Sequence, residues 1–290
     1  MHLSRSTQFS RRHIFTRHAL RLAFAALATT SLLAGMPSDA AEPPITLADP
    51  DGDDNGPGSY KYPTHAVYKP RSFDLRKVEI VDKGDDVEIR VTVGATIEDP
   101  WDSKTWDGNG FSLQYVQLYL DTDHTKGSGF TGTLPGLGAA KFDDDEAWDK
   151  VVLISPQGKT RLSAELRAKA GNMRGAVILP RSTRASGKTL ISVVKKSDMG
   201  QPSTKWGFQA VMQSNEGYPD KSDLMTRRVN ENVGEHRFGG GNDGECDPHV
   251  LDMLAGKAKG EKSEVAEQHR ALAYTCGSKV ARLPMVYPGN

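Results

Sequence analysis

The stretch FDLRKVEIVDKGDDVEIRVTV, residues 73–93, decides the fold class of this chain. Its two halves are separated by Lys83-Gly84-Asp85-Asp86, a sequence typical of a turn. In the second half, apolar residues occupy alternate positions from 87 to 93, with Glu88, Arg90 and Thr92 between them. A period of two residues is the pattern of a strand with one buried face. The stretch therefore predicts a β-hairpin that packs one side against a core.

Further strands are expected along the chain. The segment FSLQYVQLYLD, residues 111–121, is apolar at consecutive positions, which predicts a central strand buried on both faces. Five shorter strands are expected at residues 151–154, 161–167, 176–179, 189–194 and 206–213. One helix, with apolar residues at helical spacing, is expected from about residue 261 to 274. We therefore predict an all-β fold, an antiparallel β-sandwich with a C-terminal helix.

The first forty residues have the pattern of an export signal. Ser10-Arg11-Arg12-His13-Ile14-Phe15 resembles the twin-arginine motif, an apolar run follows from Leu20 to Met36, and Ser38-Asp39-Ala40 provides small residues for cleavage. We predict a signal peptide at 1–40 and a single β-sandwich domain at 41–290. The protein is then expected to be periplasmic or secreted, with no transmembrane segment after signal cleavage.

Charge and cysteine content narrow the possible functions. Of the 37 basic and 37 acidic residues, the predicted signal holds five arginines and one aspartate, so the mature chain has 32 basic and 36 acidic residues. Because no basic stripe remains, nucleic acid is not an expected partner. The chain has two cysteines, Cys246 and Cys276, which allow one intramolecular pairing. We expect a disulfide between them in an oxidising compartment.

Two acidic loops are candidate metal sites. The stretch DPDGDDNGPGSYKYPT, residues 49–64, spaces its carboxylates as the first half of a calcium loop does, but Tyr62 stands where an EF-hand needs glutamate. A second pair of aspartates ends a strand in LYLDTDHTKGSG. We expect calcium as the cofactor, with these candidate ligands: Asp49, Asp51, Asp53, Asp54, Asp121 and Asp123. The acidic run at residues 143–146 is expected to be surface charge.

Aromatic and histidine residues give weaker indications. Trp101 and Trp106 lie in a polar loop, where their rings could stack on sugar rings, although packing against the sandwich is an equal alternative. Trp148 and Trp206 begin apolar strands and are expected in the core. The five histidines of the mature chain are scattered and are each expected at the surface or in packing: His65, His124, His236, His249 and His269.

Several of these stretches together resemble the C-terminal binding-module-like domain of glucodextranase. The family also accompanies amylopullulanases and is related to DOMON domains and family-nine carbohydrate-binding modules. The resemblance runs from about Asp49 to Pro288. It rests on DPDGDDNGPGSYKYPT, FDLRKVEI, DPW followed by NGFSLQYVQLYLDTD, GSGFTGTLPG, VVLISPQG and LPMVY. It implies a non-catalytic DOMON-like β-sandwich that binds calcium and is associated with polysaccharide-acting enzymes or the cell surface.

Three functions remain open at this point. The first is an exported module that binds polysaccharide or a cell-envelope glycan, with a secreted enzyme as a candidate partner. The alternative is a haem b-binding electron-transfer subunit of an exported dehydrogenase, because related sandwiches bind haem; candidate axial methionines are Met173, Met199, Met212 and Met225. A glycoside hydrolase is the third, but no pair of carboxylates is singled out by the sequence.

Overall fold

The computed structural model describes residues 43–256 and 263–288. The predicted export segment, residues 1–40, lies outside these ranges. The strands, in chain order, are β1 (Ile45–Ala48), β2 (Leu75–Lys83), β3 (Asp86–Val93), β4 (Gln114–Asp121), β5 (Ala140–Lys141), β6 (Lys150–Ile154), β7 (Val177–Ile178), β8 (Ser182–Ser186), β9 (Thr189–Lys195), β10 (Gly207–Asn215), β11 (Thr226–Arg227), β12 (Asp252–Met253) and β13 (Ala281–Arg282). The α-helices are α1 (Lys159–Lys169), α2 (Lys196–Met199) and α3 (Glu264–Leu272), and two 3-10 helices span Ser103–Trp106 and Gly171–Ala176.

Most strands belong to two sheets. The first sheet has the order β1-β2-β3-β9-β8 and is antiparallel throughout. The second has the order β11-β10-β4-β6-β7, with β12 also paired to β10. The pair β6 and β7 is parallel, while the other pairs of this sheet are antiparallel. The predicted all-β sandwich is therefore confirmed, with one parallel pair at an edge of the second sheet. Strands β5 and β13 form a separate two-stranded parallel sheet.

The predicted hairpin forms β2 and β3. Lys83 pairs with Asp86, so Gly84 and Asp85 make a two-residue turn, and Gly84 has the positive φ of 76° that such a turn favours. The alternating residues of β3 are buried at every second position, as the pattern predicted. They pack against the facing side of the second sheet in one apolar cluster.

Strand β4 is buried along its whole length because the second sheet is covered on both sides. Val116 and Leu118 face the first sheet, whereas Tyr115 and Tyr119 face a second apolar cluster. That second cluster is closed by α1, by α3, by the loops between β4 and β6, and by the C-terminal segment. The doubly apolar pattern of residues 111–121 is thereby explained, and the prediction of a central strand is confirmed.

The prediction of a strand at residues 161–167 is wrong, because this segment lies in α1. Leu162 and Leu166 are buried, and their spacing of four residues fits either a strand face or a helix face. Ala164 separates the two readings: a strand would bury it beside the two leucines, but it is exposed. Helix α1 also has a topological role, since it lies in the crossover that the parallel pair β6 and β7 requires.

The C-terminal helix and the disulfide are both present as predicted. Helix α3 begins after Ser263, whose side chain accepts the amide of Ala266 at its N-cap. Cys246 and Cys276 are bonded, with their Cα atoms 5.2 Å apart. The bond joins the loop before β12 to the segment after α3.

We predict that the double variant Cys246→Ala/Cys276→Ala lowers the free energy of unfolding. The sequence separation of the two cysteines is 30 residues. Opening a loop of that length releases chain entropy worth roughly 3 to 4 kcal/mol. Denaturant unfolding of the variant and of the oxidised and reduced parent measures the effect. Equal stability of the oxidised parent and the double variant would contradict the prediction.

Candidate metal centre and aromatic surface

The first candidate site lies where the loop after β1 meets β12. Asp49 directly follows β1, and its amide donates to the carbonyl of Arg76 (3.0 Å). Further along the loop, the Gly56 amide donates to the carbonyl of Leu251 (2.8 Å), which brings the loop against the start of β12. Gly56 has a φ of 59°, and a Cβ there would lie 2.3 Å from the ring of Tyr60. Glycine is therefore needed for this close approach.

Three aspartates converge at this point: Asp49, Asp53 and Asp252. All three are buried, and each offers a carboxylate oxygen within 4.8 Å of the others. Neither oxygen of Asp49 and neither oxygen of Asp53 has a hydrogen-bond partner. Asp252 is partly satisfied, because it accepts the amides of Leu75 (2.6 Å) and Met253 (2.8 Å). Buried carboxylates without donors are costly, so this cluster calls for a positive charge.

The electrostatics of the cluster give the same indication. Burial, and then repulsion by Asp53, raises the pKa of Asp49 to about 10. Burial raises the pKa of Asp53 to about 6, and burial with the charges of Asp49 and Asp53 raises the pKa of Asp252 well above its ordinary value. Glu264, in the first turn of α3, has a pKa raised to about 7 by burial and by Asp53. Ionised side chains are therefore disfavoured here unless a cation compensates them.

Asp74 provides a comparison within the same region. It is as buried as Asp53, but the Gly52 amide donates to one of its oxygens (3.0 Å) and Arg71 Nε to the other (3.1 Å). Asp53 has no such donors for its carboxylate. Gln268 Nε2 of α3 donates to the backbone carbonyl of Asp53 (2.5 Å) and not to its carboxylate. The donor set of the cluster is thus oxygen only and anionic, which suits a hard cation such as calcium.

The other residues predicted from the first loop lie outside the cluster. Asp51 is exposed and forms ion pairs with Arg71 and Arg76. Asp54 accepts the hydroxyl of Tyr62. Sequence reasoning missed Asp252 and Glu264. A signal existed for Asp252, since it is a single acidic residue within the otherwise apolar stretch VLDMLA, but nothing in the sequence connects it with residue 49.

The second acidic set is brought together with Asp149. The nearest oxygens of Asp121, Asp123 and Asp149 lie within 4.8 Å of one another. These carboxylates already have donors: the His124 amide (2.7 Å) and the Tyr287 hydroxyl (2.9 Å) donate to Asp121, and the Thr122 amide donates to Asp149 (2.7 Å). Because hydrogen bonds satisfy these carboxylates, they need a compensating cation less than Asp49 and Asp53 do. Its assignment as a calcium site stays a prediction.

The aromatic candidates separate into surface and core. Trp148 and Trp206 are buried, as predicted. Trp101 is 39 % exposed, and Trp106 is half-buried with its Nε1 donating to the carbonyl of Trp101 (3.2 Å). The two predicted ligand-binding tryptophans thus adjoin one another, and Trp101 presents an apolar face to solvent. Of the methionines considered for haem, Met199, Met212 and Met225 are fully buried.

Fold and site together define a β-sandwich whose acidic centre is internal and whose aromatic face is external, an arrangement that suits a binding module. Residues 45–288 match the family described as the C-terminal binding-module, SLH-like, of glucodextranase. The chain belongs to this family, as the sequence resemblance indicated. No curated protein matched the sequence. Among residues 43–256 and 263–288, no helix is long and apolar enough to cross a membrane.

We predict that the protein without metal loses stability as the pH rises. A carboxyl whose pKa is higher in the folded than in the unfolded state stabilises the fold while it is protonated. For Asp53 and Glu264 that contribution is complete below about pH 4 and is lost as the pH rises through about 6 and 7, respectively. Thermal unfolding in chelator from pH 5 to 8 should show a falling midpoint. A midpoint that rises throughout this range would contradict the prediction.

Proposed function

We propose that this chain is an exported, non-catalytic module that binds carbohydrate and whose fold is stabilised by calcium. The observation that carries the proposal is the set of four unpartnered carboxylate oxygens on Asp49 and Asp53, buried beside Asp252. Membership of a family of binding modules supports the non-catalytic role. The two parts of the proposal rest on different residues and can be tested separately.

Calcium fits the acidic cluster by chemistry and by charge. Calcium takes six to eight oxygen ligands, and carboxylates supply one or two each. Asp49, Asp53 and Asp252 would hold the ion, with Glu264 as a further candidate because its pKa responds to Asp53. A bound divalent ion would keep these carboxylates ionised in the interior. It would also hold the loop that follows β1, a strand of the first sheet, against β12, a strand of the second sheet.

Carbohydrate binding is proposed at the surface around Trp101. The family's description names glucodextranase, an enzyme that acts on a polysaccharide, and this supports a glycan as the ligand of this chain. An exposed indole face with little side-chain entropy suits contact with the apolar face of a sugar ring. Trp106 adjoins this surface, because its Nε1 donates a hydrogen bond to the Trp101 carbonyl. A dextran-type glucan or a cell-envelope polysaccharide is the ligand class that we would test.

The predicted export signal at residues 1–40 supports a periplasmic or extracellular location, where the Cys246–Cys276 disulfide would also be stable. A location of that kind places the module beside extracellular polysaccharide. A secreted enzyme that acts on the same polymer is then a candidate partner.

We predict that calcium raises the thermal midpoint of the chelated protein. At a calcium concentration one hundred times the dissociation constant, a single site contributes about 2.7 kcal/mol. For a domain of this size that corresponds to a rise of roughly 5 to 10 °C. Asp252→Asn and Asp49→Asn should abolish most of the rise. Calorimetry or circular dichroism with and without calcium measures it.

Asp51→Asn is the matched control, because it removes one carboxylate from the same loop but lies outside the cluster and faces Arg71 and Arg76. It should retain the calcium-dependent rise. The proposal fails if the parent shows no rise, or if all three variants respond equally. An absorbance spectrum of the same sample tests the alternative function, since a Soret band would favour a haem-binding subunit.

We predict that Trp101→Ala weakens glycan binding about tenfold or more while the calcium-dependent thermal midpoint is retained. The expected loss corresponds to removal of one aromatic contact from the centre of a binding surface. Binding to dextran and to cell-envelope polysaccharide is measured by affinity electrophoresis or calorimetry. Tyr218→Ala is the control, because Tyr218 is a 91 % exposed aromatic residue in another loop. Equal binding by the parent and Trp101→Ala would exclude this surface.

A further inference from the structure

A second group of metal-ligating side chains lies outside the acidic cluster. Its members are His65, Glu235 and His236. Each offers a ligand atom within 4.8 Å of the other two, and the two imidazole centroids are 4.7 Å apart. The sequence predicts each of these histidines at the surface or in packing. We propose that this group is a Zn²⁺ site with two imidazole ligands and one carboxylate ligand.

The backbone fixes the three residues relative to one another. The Thr64 amide donates to the carbonyl of Gly234 (3.1 Å), and the His65 amide donates to the carbonyl of Glu235 (3.0 Å). The carbonyl of His236 accepts Arg227 Nη1 (2.5 Å) and the Tyr68 hydroxyl (3.3 Å). The two segments are therefore joined on both sides of the group. A metal ion would meet ligands that are already in place, which lowers the entropic cost of binding.

Both imidazoles have a nitrogen that a metal ion could use. Nδ1 of His236 is buried and has no hydrogen-bond partner. Nδ1 of His65 receives only a long bond from the Val67 amide (3.3 Å). A metal ion at Nδ1 would replace this bond, because the nitrogen has one lone pair, and the proton would then stay on Nε2. A buried, unpartnered ring nitrogen is uncommon in a folded protein and indicates a ligand.

The negative charge of the group comes from Glu235. Glu235 is an exposed carboxylate, and its Oε1 lies 3.9 Å from Nε2 of His236. Nearby Arg227 and Arg237 form ion pairs with Glu216, and Arg227 contacts the group only at the His236 carbonyl. Glu235 is thus available to a metal ion. Two imidazoles with one carboxylate is a donor set that Zn²⁺ binds in proteins, with a fourth position open for water or another ligand.

The site adjoins the exposed tryptophan. The Trp101 ring lies 5.4 Å from the His236 ring and 5.9 Å from the His65 ring, centroid to centroid. A metal ion here would be close to the indole and would quench its fluorescence if the ion were Cu²⁺. Cu²⁺ is a suitable probe, because it binds nitrogen donors more tightly than Zn²⁺ does. The site depends on neither the calcium site nor carbohydrate binding, since its ligands belong to neither.

The test is calorimetric titration of the mature protein with Zn²⁺ in the presence of excess calcium, which occupies the acidic cluster. We expect one equivalent of Zn²⁺ to bind. His65→Ala and His236→Ala should each weaken binding at least tenfold, and Glu235→Gln should weaken it less. His124→Ala is the matched control, because His124 is an exposed histidine outside the group. It should leave Zn²⁺ binding unchanged.

A second measurement separates a lost site from a misfolded protein. Cu²⁺ should quench the tryptophan fluorescence of the parent, and Trp101→Phe should lose most of that quenching while its Zn²⁺ affinity is retained. The thermal midpoint in calcium reports folding of each variant. The proposal is overturned if the folded parent binds no Zn²⁺ under these conditions. It is equally overturned if folded His65→Ala and His236→Ala both bind Zn²⁺ as the parent does.

Discussion

Repulsion among three buried carboxylates is the constraint on which this structure depends most. Asp49 follows an edge strand of the first sheet, Asp53 lies in the loop beyond it, and Asp252 begins a strand of the second sheet. Four of their oxygens have no donor. Burying such a group without compensation forces it to be protonated, as the raised pKa of Asp49 indicates. The chain thus buries a group of mutually repelling carboxylates where the loop after β1 of the first sheet meets β12 of the second.

The surroundings of the cluster are arranged to keep it closed. Gln268 of α3 donates to the backbone of Asp53 and accepts the Met253 amide (3.1 Å), so one side chain joins the loop to β12. Cys276, just after α3, is bonded to Cys246, before β12. The helix is consequently attached to β12 through Gln268, and the segment after the helix is attached to the loop before β12 through the disulfide. A cation in the cluster would act on elements that are already tied together.

The sequence predicted those parts of the fold that are encoded by local periodicity. The hairpin of β2 and β3 has alternation and a turn within one short stretch, and β4 is apolar at consecutive positions; both were predicted correctly. Helix α1 was not, because Leu162 and Leu166 are spaced by four residues, a distance common to both periodicities. The short strands β5, β11, β12 and β13 have two residues each, too few for any period to show.

The candidate site could be predicted only where its residues are neighbours in the chain. Asp49 and Asp53 share an acidic loop with glycines, which is a pattern with a chemical meaning. Asp252 joins them only because β12 pairs with β10 and the loop binds Leu251. The same holds for His65 and His236, which are brought together by backbone hydrogen bonds between two loops. Proximity of this kind depends on how distant segments pair in the fold, and a local pattern in a single sequence does not predict it.

The two ligand sets differ in what they can contribute to the protein. The acidic cluster is buried, so an ion there would bind only the folded protein and would raise its free energy of unfolding. Trp101 and the group of His65, Glu235 and His236 are partly exposed, and the His236 carbonyl in this group accepts Tyr68 and Arg227. A ligand bound at the surface would therefore contact loops, whereas an ion in the acidic cluster would bridge the loop after β1 and β12.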